Sequence, residues 1–305
     1  MFSHLDAISP SLQVLHPDRD WRTPSFEGGQ KGADAMSQND RRHEIATKRV
    51  VLEIPGADAV VVRRDVPYAL IDGERLTMDV YCPAGLQRHE LMPGVLFVTG
   101  YPDEGMRKVV GCNAKDMASY VSWAQLMAVS GLAAITYTTR RPPADVHEVL
   151  RYLRAKAELG IDGERVGLWA CSGNAPTALS VLMTPDARVK CAALCYSYLL
   201  DVDGSTSVAE AASVFRFANP CAGRAFEDLP VDVPLFVARA GRDEMPHLND
   251  TIDRFVARAL STNLPVTLVN HSSGPHAFDI VDERDASRAV IQQIVDFMRC
   301  HLKSV

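Results

Sequence analysis

The chain has 305 residues, 47% hydrophobic and 23% charged, the proportions of an ordinary globular protein. Such a length buries roughly three quarters of the unfolded surface, enough for one large α/β domain or two small ones. The formal charge of −6 is mild and unclustered, which argues against a nucleic-acid partner. No apolar run approaches the roughly 18 residues of a membrane span, so no membrane partner is expected either. Seven scattered cysteines without zinc spacing suggest neither a disulfide framework nor a metal site. The first 24 residues mix charged with apolar side chains and do not form a signal-peptide pattern, so a cytoplasmic location is the default.

Residues 1–48 are polar, with a glycine-containing loop at Glu27–Gly32 and a charge run at Gln38–His43. They read as an N-terminal extension that packs over the main body or is partly mobile, with Met36 as an alternative start. From Val50 the alternation changes. Strand-like stretches at Ala59–Tyr68 and Leu76–Tyr81 flank an Asp72-Gly73 turn and predict an antiparallel hairpin. Pro93–Gly100 reads as a buried strand, Tyr101–Gly105 as a loop, Ala118–Val129 as a helix and Leu132–Tyr137 as a strand. Pro143–Leu159 reads as a helix with Asp145 in its first turn, where a carboxylate suits the helix dipole.

Then comes Arg165-Val-Gly-Leu-Trp-Ala-Cys-Ser-Gly-Asn-Ala, an apolar strand at Val166–Ala170 running into a helix at Gly173–Met183. A strand turning directly into a helix leaves no room for side chains, which accounts for the small Ala170, Gly173 and Ala175. The same turn exposes Ser172 at the positive end of a helix, although a serine there alone also suits a plain helix cap. The remaining elements are strands at Val189–Leu199, Pro234–Gly241 and Val266–Asn270, and helices at Val208–Phe217, Asn249–Leu260 and Ala286–His301. Strands alternating with helices of this length predict a mostly parallel, doubly wound sheet with helices on both faces, in one domain over 49–305. In such sheets ligands bind at the carboxyl ends of the strands.

Three residues fall just beyond three of those ends: Ser172, Asp243 in Gly-Arg-Asp-Glu-Met-Pro, and His276 in Ser-Gly-Pro-His-Ala-Phe. A hydroxyl is a poor nucleophile until an imidazole takes its proton, and a carboxylate holds that imidazole in the working tautomer. With Phe-Val-Thr-Gly-Tyr after an earlier strand, these motifs resemble the α/β-hydrolase superfamily, and within it the carboxylesterases and dienelactone-hydrolase-like members without a large lid domain. The resemblance covers about residues 75–300. It implies a Ser172–His276–Asp243 triad acting on an ester through an acyl-enzyme, with Gly173 N–H at the nucleophile elbow and Tyr101 as oxyanion-hole donors, Tyr101 through its N–H or instead its hydroxyl, unless its ring only walls the pocket. Asp201 is a reserve acid, because some hydrolases place their acid after the preceding strand.

Departures are plain. Asn174 stands two after the serine, where the family has a small residue, and Ala170 stands two before it. Asn174 is either accommodated structurally or turned toward the pocket. Dienelactone hydrolases use a cysteine nucleophile, but taking Cys171 as the nucleophile would put the bulky Trp169 two before it, so Cys171 reads as packing. Gly100, Asn174 and Cys171 are the pocket candidates. His247 and His271 are expected away from the chemistry. The stretch of about 34 residues from Leu199 to Pro234 is too short for a lid domain, which leaves the N-terminal extension to shape access and favours small, short-acyl esters over lipids. No cofactor or metal is expected. Gly-x-Gly-x-x-Gly is absent, against a dinucleotide fold, and a serine at the elbow argues against dehalogenase chemistry. Amidase or peptidase-like activity, acyl transfer, a non-catalytic binding protein and a homo-oligomer all stay open.

Overall fold

A computed structural model describes residues 44–303 apart from 54, 86–90 and 186. The loop at Glu27–Gly32, Met36, the charge run and most of the extension lie outside the described residues. Residues 44–47 form a helical turn, and Ile45 and Ala46 pack against the hydrophobic core on one face of the sheet.

Eight strands form one sheet: β1 (Val61–Ile71), β2 (Glu74–Cys82), β3 (Met92–Phe97), β4 (Ala133–Tyr137), β5 (Ile161–Cys171), β6 (Val189–Cys195), β7 (Leu235–Ala240) and β8 (Val266–His271). Their order is β1-β2-β4-β3-β5-β6-β7-β8. β2 is antiparallel to both its neighbours, and all pairings from β4 onward are parallel. The hairpin turns where expected, with positive φ at both Asp72 and Gly73, the geometry that matches the twist of the flanking strands. Pro67 is tolerated within β1 because that strand lies at the sheet edge and is bulged there.

The helices are α1 (Asp103–Val110), α2 (Ala118–Val129), α3 (Pro142–Ala155), α4 (Ala175–Leu182), α5 (Ser207–Phe215), α6 (Leu248–Ser261), α7 (Phe278–Val281) and α8 (Asp285–Lys303). Alternation along the central strands sorts their side chains onto two faces. Leu96, Leu168, Ala170, Leu194 and Val237 pack with Val149 of α3, Leu179 of α4, Val208 of α5 and Ile252 of α6. Val95, Phe97, Trp169, Ala193 and Phe236 pack with Trp123 of α2 and with Ile291, Ile294, Met298 and Leu302 of α8. The sheet is therefore doubly wound, with a core on each side.

Differences from the sequence expectations are local. Residues 103–110, expected to begin as a loop, form α1. Its Asp103 and Glu104 at the start and Arg107 and Lys108 at the end suit the helix dipole, a signal the brief apolar pattern hid. β6 stops at Cys195 instead of Leu199 because Tyr196 turns to φ 38°. α5 stops at Phe215 because Arg216 takes the left-handed conformation, φ 63°. Each early stop releases an aromatic side chain, Tyr196 or Phe217, toward the carboxyl rim.

Candidate active site

The carboxyl ends of β3, β5, β6, β7 and β8 share one rim. At the end of β5 the chain turns sharply into α4, and Ser172 sits at φ 53°. A left-handed non-glycine residue costs on the order of 1–3 kcal/mol, a strain that persists only where the surroundings hold it. The elbow is crowded. A Cβ at Gly173 would lie 2.5 Å from Phe217 Cδ1 and 2.5 Å from the Tyr101 hydroxyl. A Cβ at Gly100 would lie 2.6 Å from the Gly173 carbonyl oxygen. Only glycine fits at either place.

Asp243 follows β7. Its Oδ1 accepts the Met245 N–H at 2.9 Å, and its Oδ2 lies 2.7 Å from His276 Nδ1. The carboxylate can only accept, so Nδ1 is the nitrogen that donates in this pair. The Asp243 side chain is fully buried and that of His276 is 13% exposed, so the pair is largely shielded from water. His276 rests its ring edge-on against Tyr196, with centroids 5.0 Å apart. Tyr196 directly follows Cys195, which pairs in register with Cys171. The imidazole is thus packed one strand away from the serine elbow, although it arrives from beyond β8. Among the described residues the Ser172 hydroxyl makes no hydrogen bond. Asp243 and His276 are joined directly, and Ser172 is joined to neither.

Beneath Tyr196 lies a residue that sequence reasoning missed. Asp279, 2% exposed, accepts from Tyr196 Oη and from Trp123 Nε1, each at 2.7 Å. Burial raises its carboxyl above the ordinary range, against the two donors, which lower it. Its position three residues after His276 was the available signal, but an acidic residue opening a short helix reads as solvated. Tyr101 and Phe217, centroids 6.1 Å apart, wall the elbow, and Phe217 stacks on Tyr198 at 5.5 Å. The Ala218 N–H donates to the Gly100 carbonyl at 2.8 Å, fastening this wall to the loop after β3. The cover over the elbow therefore includes the short segment between β6 and β7.

The other candidates fall elsewhere. Asp201 accepts from the N–H groups of Val208 and Ala209 at 2.8 and 3.0 Å, so it caps α5 and is not bonded to His276. Asp145 likewise holds the start of α3, accepting from Thr139 Oγ1 and from the Arg140 and Arg141 N–H groups. Burial, then the nearby Asp279, pushes the Cys171 thiol up to about 12, and its Sγ lies 3.6 Å from Asn174 Nδ2. His271 is buried with Nε2 2.8 Å from Ser287 Oγ, and His247 is exposed beside Asp250. Asn174, 6% exposed, turns inward: its Oδ1 accepts the Gly100 N–H at 2.7 Å, and its Nδ2 donates to Tyr120 Oη at 3.2 Å. Among the described residues no three histidine, cysteine or acidic side chains converge to hold a metal ion. No helix among them is long and apolar enough to cross a membrane.

No protein-family profile and no curated protein matches the sequence. Solved structures do match. The native form of esterase Est2 from the planctomycete Thermogutta terrifontis aligns with a TM-score of 0.61 and 18% identity, over 80% of this chain and 93% of that one. Its propionate-bound form aligns with a TM-score of 0.61 at 18% identity, over 80% and 95%. The form phosphorylated by paraoxon aligns with a TM-score of 0.58 at 17% identity, over 81% and 95%. Together with the strand order and the two helical layers, this likeness identifies the architecture: the chain has the α/β-hydrolase fold.

Proposed function

We propose that this protein is a serine hydrolase that cleaves small, short-acyl carboxylic esters through an acyl-enzyme intermediate. The observation that carries the reading is the buried Asp243–His276 bond, with the imidazole packed on Tyr196 one strand from Ser172. A carboxylate on Nδ1 leaves Nε2 as the base. In this reading Nε2 takes the Ser172 proton as Oγ attacks the ester carbonyl, and the Gly173 and Tyr101 N–H groups hold the developing oxyanion. The imidazolium returns the proton to the leaving alcohol. Water then attacks the acyl-enzyme by the same route and releases the acid.

Two features support short acyl groups. Tyr101 and Phe217 crowd the elbow, and the Thermogutta esterase, a fold relative, has been obtained with propionate and with butyrate bound. Organophosphate adducts of that esterase fit a nucleophilic mechanism on this fold.

The test combines labelling with kinetics. A fluorophosphonate should label Ser172 in the native protein, and p-nitrophenyl acetate turnover should fall at least about 10³-fold in Ser172→Ala and in His276→Ala. A folded wild type that neither labels nor turns over acyl esters would leave a binding protein on a hydrolase fold. Faster turnover of long-chain triglyceride than of acetate esters would overturn the short-acyl assignment.

A further inference from the structure

We propose that Asn174 is a positioning residue of the oxyanion hole, its side-chain amide setting the separation between the two backbone donors. The inference rests on the esterase reading above and deepens it.

Asn174 is the residue before α4, a place where asparagine ordinarily caps the helix with its own side chain. Here it makes no capping bond. Its Oδ1 instead accepts the Gly100 N–H at 2.7 Å, while Nδ2 donates to Tyr120 Oη at 3.2 Å and lies 3.6 Å from Cys171 Sγ. A backbone N–H can only donate, so the amide has one workable orientation. Gly100 is buried, and a buried N–H requires a partner. The small residue usual at position 174 in this fold would supply none.

The connectivity gives this bond its reach. Asn174 follows Gly173 directly, and Gly100 directly precedes Tyr101. One hydrogen bond therefore ties the neighbours of both oxyanion donors. The other side of Gly100 is held as well, because its carbonyl accepts the Ala218 N–H at 2.8 Å. The peptide unit is planar and trans, so orienting that carbonyl orients the Tyr101 N–H in the opposite sense, where among the described residues it makes only a long 3.4 Å bond to Thr99 Oγ1. The two segments touch, with a Cβ at Gly100 falling 3.1 Å from Asn174 Cα. Loss of the amide would let the loop after β3 shift against the elbow, and displacement of about 1 Å in such a site costs on the order of 100-fold in rate.

The experiment compares Asn174→Ala and Asn174→Ser with wild type on p-nitrophenyl acetate, counting competent sites with a fluorophosphonate and recording thermal midpoints. Serine is too short to reach Gly100 yet polar enough for the site, so it serves where alanine folds poorly. The expected result is a fall in kcat per titrated site of about 10–100-fold with KM within about threefold. Tyr120→Phe, which leaves the Gly100 bond in place, should lose less than about fivefold. A lowered midpoint with kcat per site within about twofold of wild type in the Asn174 variants would make the residue ordinary packing and overturn the assignment. A wild type that is unlabelled and inactive would overturn the esterase reading, and this one with it.

Discussion

The elbow shows how a few backbone positions constrain a site. Gly173 has no space for a side chain between Phe217 and Tyr101. Gly173→Ala should therefore destabilise the fold by about 1–3 kcal/mol through overpacking. It should also lower the proposed ester turnover about tenfold or more, because the added methyl displaces the wall beside the proposed oxyanion donor. Thermal denaturation and steady-state kinetics check the two parts separately. In the proposed triad Asp243 acts through electronic identity more than shape. In Asp243→Asn the side chain can turn its amide toward His276 and select the wrong tautomer, with a kcat loss on the order of 10³–10⁴-fold expected at neutral pH. Folding measured by circular dichroism should stay close to wild type.

At the scale of elements, the strands and the long helices were legible because their patterns report burial directly. α8 carries Val290, Ile291, Ile294, Met298 and Leu302 on one stripe, and its predicted span differs from Asp285–Lys303 by one or two residues at each end. α1 was not legible, since what holds it is a tertiary bond. Asp103, buried, accepts the Thr139 N–H at 2.7 Å and the Ala114 N–H at 3.3 Å, bolting the helix start to the loop after β4. Burial pushes its carboxyl up to about 6, against the pull of those two N–H groups. A folded value above the unfolded one means that the native protein retains a proton the unfolded chain has lost. The resulting stabilisation is fully present below about pH 4 and disappears as pH rises through 6. Relative to Asp103→Asn, wild type should lose about 2–3 kcal/mol of stability across that window and change little above it. Urea unfolding at a series of pH values measures the difference.

At the scale of the molecule, the rim assembles groups separated by more than a hundred residues, and the segment between β6 and β7 closes over them. Phe217 reaches the elbow only because α5 ends at Phe215 and Ala218 is fastened to Gly100. In the proposed esterase, Phe217→Leu should relieve the crowding over Gly173 and admit longer acyl groups. The ratio of kcat/KM for p-nitrophenyl hexanoate over acetate should rise about tenfold, with acetate turnover changed far less. An unchanged ratio would show that another wall limits chain length.

Amino-acid order alone determined the layered α/β plan here, because alternation and helical stripes record which faces are buried whatever the partner. It also singled out Ser172, Asp243 and His276 as candidates, since small residues at an elbow and polar residues just past apolar strands leave local traces. Tertiary structure alone decided what surrounds them. Asp279 beneath Tyr196, Phe217 over Gly173 and the turn of Asn174 toward Gly100 depend on contacts between distant segments. A side chain's hydrogen-bond partner is set by which strand lies beside it, and no local pattern of residues encodes that neighbour.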